Sequence, residues 1–371
     1  MKNSPLRWTF VAILAIRAAF APTPVAFAAE PGGEVKNVIF LIGDGMGLAQ
    51  VAAASAVNRS PLHLEKCSAV GLSKTASASD WVTDSAAGGT ALSSGYKTTN
   101  GFVGVRPDGT PGRTLLEEAR DRGKAIGVAV TCSVTHATPA SFLAHRGSRG
   151  RQEEIAEDIV ASGVDVFIGG GRKFFEARTD GRNLSDVLRN KGYTIAYSME
   201  EARRSSKGKL GVLLAEDGLP KMTENRGDVL PQSFTMAVNL LSQDPDGFVL
   251  MVEGSQIDWG CHKNDADWST AEVLDFDQVV GRAMEFADAN PGTLVVVTAD
   301  HETGGMTLVR GDREKGTVEA KFSTPKHTGV MVPVYAYGAG AQRFTGVYEN
   351  TEVFHKIADL LNFSKTSPAG Q

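Results

Sequence analysis

The chain has 371 residues, 42% of them apolar and 22% charged, with 38 Lys and Arg against 43 Asp and Glu. That balance excludes intrinsic disorder, and a formal charge of −5 gives no electrostatic footprint for a nucleic-acid backbone. The 41 glycines follow no collagen period, which leaves tight turns and close backbone approaches as their use.

In chain order, residues 1–28 come first and read as a signal peptide. Lys2 and Arg7 make a basic start, Phe10 to Ile16 is apolar, and Ala26-Phe27-Ala28 offers an A-x-A cleavage site. Arg17, Pro22 and Pro24 break the apolar stretch before it is long enough to span a bilayer, and no later segment approaches that length. Cleavage removes three positive charges and no negative one, taking −5 to −8. It leaves residues 29–371 as a single domain, exported to the periplasm or secreted, with no membrane anchor. Cys67, Cys132 and Cys261 are too few and too scattered for a disulfide framework, and without a CxxC pair they give no support to a thiolate zinc site.

Short β-branched runs at Val35–Ile42, Ile126–Thr131, Val164–Ile168, Phe248–Val252, Leu294–Thr298 and Val332–Tyr337 are continuous rather than alternating. Such runs predict strands covered on both faces. Helical patterns at Thr114–Arg122, Arg151–Ala161, Gln232–Leu241 and Thr270–Ala289 fall between them. The alternation predicts an α/β fold, a central mainly parallel sheet with helices on both faces. The polar stretches near 198–228 and 311–326 read as loops or small excursions.

In open α/β sheets the chemistry gathers beyond the carboxyl ends of the strands. Gly43-Asp44-Gly45, Glu253-Gly254 and Asp300-His301 all stand at such ends. The first begins like a dinucleotide fingerprint, but position 48 is Leu where the third glycine belongs, and Asp44 would repel a pyrophosphate. Asp258 and His262 are four apart, so one helical turn brings both to one side, as metal ligands or as a helix cap with a satisfied histidine. His327 stands in a polar loop. His262, His301 and His327 beside carboxylates or glycine turns form a zinc-type ligand set. Ser85 opens a small-residue run: either Ser85 or Asp84 is simply a helix N-cap, or Ser85 is a nucleophile at a helix N-terminus, where backbone N–H groups favour a phosphate. No G-x-S-x-G elbow exists, so such a serine needs a metal to lower its pKa. Arg146, Arg149 and Arg151 crowd a polar stretch that supplies a bidentate phosphate partner if the substrate is an anion.

The order GDGMG, TDSAAGGTA, THATPASFLAHRGSR, VEGSQIDWGCH, TADHETGG and KHTG, with DVFIGGGRKFF between, resembles the alkaline phosphatase family over roughly residues 35–337. The resemblance implies hydrolysis of phosphate monoesters through a phosphoserine on Ser85, with broad specificity and an alkaline optimum. It implies one Zn2+ on Asp258, His262 and His327, and a second on Asp44, Asp300 and His301. A third ion, usually Mg2+, would lie on Asp44, Thr138 and Glu253. Arg149 would clamp phosphate, oriented by Asp84, and the assembly would be a homodimer. His136 stands where many bacterial members have Asp, and Trp259 where many have Lys. An imidazole beside the third site favours zinc or cobalt over magnesium, which leaves that ion's identity open. The alternatives are a phosphodiesterase or sulfatase of the same superfamily, or a metal- or phosphate-binding protein without turnover.

Overall fold

The computed structural model describes residues 34–363. Residues 1–28, expected to be a signal peptide, lie outside the described residues. Fourteen strands are numbered in chain order: β1 Asn37–Gly43, β2 Ala69–Lys74, β3 Ala125–Ser133, β4 Val166–Gly170, β5 Thr194–Ala196, β6 Leu210–Leu213, β7 Phe248–Gly254, β8 Thr293–Thr298, β9 Glu302–Thr303, β10 Met306–Asp312, β11 Thr317–Phe322, β12 His327–Thr328, β13 Val332–Gly338 and β14 Gly346–Glu349. Ten of them form one sheet in the order β14-β2-β13-β8-β1-β7-β3-β4-β6-β5. Only β13 runs against the rest, pairing antiparallel with both β2 and β8.

All six expected strands are present, displaced by one or two residues, and β1, β3, β4, β7 and β8 are buried almost throughout. Both faces are covered because successive side chains point to opposite sides of a strand. Val38, Phe40 and Ile42 of β1 join the core containing Leu92, Phe142 and Ile155, while Ile39 and Leu41 join the one containing Phe234, Phe276 and Val280. The expected helices are Leu115–Arg120, Gln152–Ser162, Val229–Leu241 and Ala266–Ala289. Val229–Leu241 begins ahead of Gln232 because Pro231 sits in the first turn, where its missing N–H has no intrahelical partner to lose. No described helix is long and apolar enough to cross a membrane.

The two polar stretches carry more structure than the sequence suggests. Residues 198–228 contain β6, a buried strand that extends the sheet beside β4. Residues 311–326 contain β11, which pairs antiparallel with β10 in a hairpin outside the main sheet.

Candidate active site

Register brings the carboxyl ends of the central strands level. Ile42 pairs with Glu253 on one side and Thr298 on the other, and Glu253 pairs with Val130 of β3. Asp44, Glu253 and Asp300 therefore emerge side by side at one edge, all fully buried. Gly45 turns the chain there at φ +71°, and a Cβ on it would lie 2.9 Å from the Asp258 Cα. Only glycine admits both the left-handed turn and that approach.

Asp258 lies in the first turn of the helix Gln256–His262, which places His262 on the same side one turn on. His262 Nε2 is 3.2 Å from Asp258 Oδ2, His327 Nε2 is 3.5 Å from Asp258 Oδ1, and the two Nε2 atoms are 3.1 Å apart. Each ring donates from Nδ1 to a backbone carbonyl, His262 to Pro325 at 2.7 Å and His327 to Thr83 at 2.9 Å. Those bonds leave both Nε2 lone pairs aimed at the same point as the carboxylate. Backbone-pinned imidazoles of this kind are how proteins orient metal ligands.

A second cluster adjoins it, for the rings of His301 and His327 stack with centroids 3.6 Å apart. His301 Nε2 lies 3.3 Å from Asp300 Oδ2, 3.4 Å from Asp44 Oδ1 and 3.2 Å from Ser85 Oγ. Thr303 was not singled out in the sequence, yet it sets this geometry. Its hydroxyl donates to Asp258 and accepts from His301 Nδ1 at 3.2 Å, which keeps the His301 Nε2 lone pair free. Asp44, Asp258 and His301 each bring a ligand atom within 4.8 Å of the others.

Ser85 is the first residue of the helix Ser85–Ser94, capped by Asp84, whose Oδ1 accepts from Ala87 N and Gly101 N at 3.0 Å each. The Asp84 Oδ2 holds Arg149 Nη1 at 3.1 Å, and Arg149 Nη2 approaches His136 Nε2 at 3.3 Å. Both readings of the Asp84-Ser85 pair thus hold in geometry: Asp84 caps, and Ser85 Oγ faces the histidine-carboxylate cluster. Trp259 meets His136 edge to face at 5.9 Å and lies against Gly218, where a Cβ would come within 2.5 Å of its ring.

A third group lies one strand over. Cys132, His136 and Glu253 place ligand atoms within 4.8 Å of one another, so a thiol that its spacing did not point to stands beside Glu253. Thr138 is buried in the helix Ala137–Leu143 with its hydroxyl unpartnered.

Burial, then the charges of Asp258 and Glu253, push Asp300 up to about 8, and burial pushes Glu253 up to about 7. Asp44 is raised by burial and by Asp300, Asp258 and Glu253. Burial followed by neighbouring His327 holds His301 well below its ordinary value, and burial with Arg149 brings His136 to about 4. Burial opposes ionisation of Asp258, yet the His262 hydrogen bond and nearby imidazoles hold it well below the carboxylate range. Both oxygens of Asp44, Asp300 Oδ2, Glu253 Oε1 and Thr138 Oγ1 are buried without a hydrogen-bond partner. Orphaned buried acceptors are costly unless a cation satisfies them, so the residues present fit divalent metals.

The family model "Alkaline phosphatase" matches residues 35–322 and 312–363. The chain belongs to the alkaline phosphatase family. Alkaline phosphatase 3 of Bacillus subtilis is 32% identical, covering 98% of this chain and 99% of the relative. Streptomycin-6-phosphate phosphatase of Streptomyces griseus is 33% identical, covering 88% and 90%. Among solved structures, alkaline phosphatase from the Antarctic bacterium TAB5 is 40% identical with a TM-score of 0.85, covering 89% of this chain and 99% of that one. The Thermus thermophilus enzyme is 26% identical with a TM-score of 0.84, covering 92% and 94%. Membership of this family supports an enzyme that hydrolyses phosphate monoesters.

Proposed function

We propose that this alkaline phosphatase-family enzyme works through a phosphoserine on Ser85, with broad specificity for monoesters and an alkaline optimum. The observation that carries this reading is the contact of Ser85 Oγ with His301 Nε2, the nitrogen that also faces unpartnered oxygens of Asp44 and Asp300. Asp258, His262 and His327 would hold one zinc, and Asp44, Asp300 and His301 a second. A third ion, magnesium in the ordinary family pattern, would lie between Asp44, Thr138 and Glu253 with His136 beside it. A variant of the TAB5 enzyme in which a histidine is replaced by aspartate holds magnesium in its M3 site, which supports a third position of this kind. Bound there, the ions supply Lewis acidity and charge neutralisation for an in-line displacement.

The chain's own groups do the rest. Arg149, held by Asp84, meets the equatorial phosphate oxygens, and the N–H groups opening the helix Ser85–Ser94 face the same charge. Ser85 Oγ attacks phosphorus as the alcohol leaves on the opposite side. Water then attacks the phosphoseryl group, returning the serine hydroxyl and inorganic phosphate. A monoester suits this arrangement because its extra negative charge has Arg149 to meet it. The chain would be cleaved after Ala28, exported as one catalytic domain of residues 29–371, and assembled as a homodimer.

Turnover of nitrophenyl phosphate against its bis-ester, in wild type and Ser85→Ala, tests the activity. The reading requires strong preference for the monoester and loss of turnover in the variant. Equal rates on the two esters, or a variant with undiminished turnover, would refute it.

A further inference from the structure

From the side chains around Glu253 we infer that the third cation position takes a thiophilic ion, zinc or cobalt, with Cys132 as a direct ligand beside His136 and Glu253. This rests on the reading that a third cation is bound there, and departs from it in the donor set. Cys132 is fully buried at the end of β3, and its Sγ lies 3.3 Å from Glu253 Oε2. A tetrahedral zinc with bonds of about 2.3 Å to sulphur and about 2.1 Å to oxygen sets those two atoms about 3.6 Å apart, so little movement is needed. His136 closes the group with a ring nitrogen, and its Nδ1 is buried without a partner. Ligation through Nδ1 puts the ring proton on Nε2, so Arg149 Nη2 turns away while Nη1 keeps Asp84. The other Glu253 oxygen and the Thr138 hydroxyl are likewise unpartnered at this place.

The donor chemistry chooses the ion. Magnesium demands hard oxygen ligands in near-octahedral array, whereas thiolate with imidazole and carboxylate selects zinc-like metals. Each ion bound releases the Cys132 thiol proton to solvent. Neither remaining cysteine offers the same set: Cys67 is half-buried as the C-terminal cap of the short 3-10 helix His63–Lys66, and Cys261 faces Gln50 Nε2 at 3.5 Å.

The test uses the full chain, stripped by chelation and reloaded with cobalt(II) or zinc, read by spectroscopy rather than by activity. The third equivalent of cobalt should bring a thiolate-to-metal charge-transfer band in the near ultraviolet. That band should be absent from Cys132→Ser and present in Cys67→Ser. Zinc K-edge absorption on the wild type should show a sulphur neighbour at about 2.3 Å, a readout that needs no variant to fold. In Cys132→Ser the third zinc should weaken by roughly 100-fold while magnesium affinity barely moves. Three equivalents bound with no sulphur signature would overturn the thiolate ligand, and so would a band that survives Cys132→Ser. Saturation at two equivalents would overturn the third site itself. Turnover of nitrophenyl phosphate is scored separately, so loss of the phosphatase reading would leave these outcomes interpretable.

Discussion

Stripping the cations should make the protein lose stability as the pH rises from about 6.5 to 8. In the folded chain Asp300 is pushed from 3.8 to about 8 and Glu253 from 4.5 to about 7, burial being the largest cause for both. Unfolded, both carboxyls ionise near pH 4. The folded, metal-free chain therefore holds protons that the unfolded chain has lost, and its stability falls as pH climbs toward the folded values. His262, raised first by its Asp258 hydrogen bond, acts in the same direction above its unfolded value. His301 acts oppositely but only below about 6.5, where the unfolded chain would take up the proton that the buried ring refuses. Asp258, held low, has delivered its contribution before this window opens. Between pH 6.5 and 8 the folded chain keeps a proton on Asp300 over about 1.5 pH units, and on Glu253 over about half a unit, that the unfolded chain has already released. At about 1.36 kcal/mol per pH unit for each proton held, the loss is on the order of a few kcal/mol, with Asp44, raised first by burial, acting in the same direction; that is a large share of a typical stability of about 5–15 kcal/mol. Urea unfolding of chelated and zinc-loaded protein at both pH values measures it. In the loaded form the cations hold the carboxylates ionised, so the loss should vanish, and the rest of the chain's titration serves as its own control. A chelated protein as stable at pH 8 as at 6.5, or a loaded one that falls equally, would refute the reasoning.

Three substitutions extend the account. A Cβ at Gly88 would lie 3.0 Å from the Asp300 carbonyl oxygen and 3.1 Å from its Cβ, so Gly88→Ala should displace Asp300 and weaken one bound zinc by roughly 10–100-fold, measured by competitive chelation. Thr303→Val removes the hydroxyl that fixes the His301 tautomer and binds Asp258. Its metal affinity or turnover should fall by roughly 10–100-fold, with the far-ultraviolet dichroism unchanged. Arg149→Ala should lower kcat/KM on a monoester by about 100-fold and on a diester far less, as steady-state kinetics would show.

The central strands were legible because β1, β7 and β8 are buried on both faces, and their short, continuous β-branched runs suit strands covered on both sides. Asp44, Glu253 and Asp300 were legible for the same reason, since acidic residues ending such runs stand at the carboxyl ends of the strands, where an open α/β sheet gathers its site. What escaped depends on contacts distant in sequence. The hairpin strand Thr317–Phe322 alternates exposed and half-exposed residues and is a strand only through its pairing with β10. The reversed direction of β13 is set by its neighbours and leaves no trace in its own Val-Pro-Val-Tyr-Ala-Tyr run. Thr303 matters because Asp258 meets it from 45 residues away, and Cys132 because Glu253 meets it from 121 residues away. Cysteine spacing was silent on this neighbourhood because a spacing rule sees only ligands close in sequence.

The phosphoserine on Ser85 is the central claim, and stereochemistry at phosphorus tests it most directly. Transfer of a phosphoryl group made chiral with oxygen isotopes to an acceptor alcohol should proceed with net retention, since two in-line displacements each invert the centre. Net inversion would mean a single direct displacement, and Ser85 would then not carry the phosphoryl group.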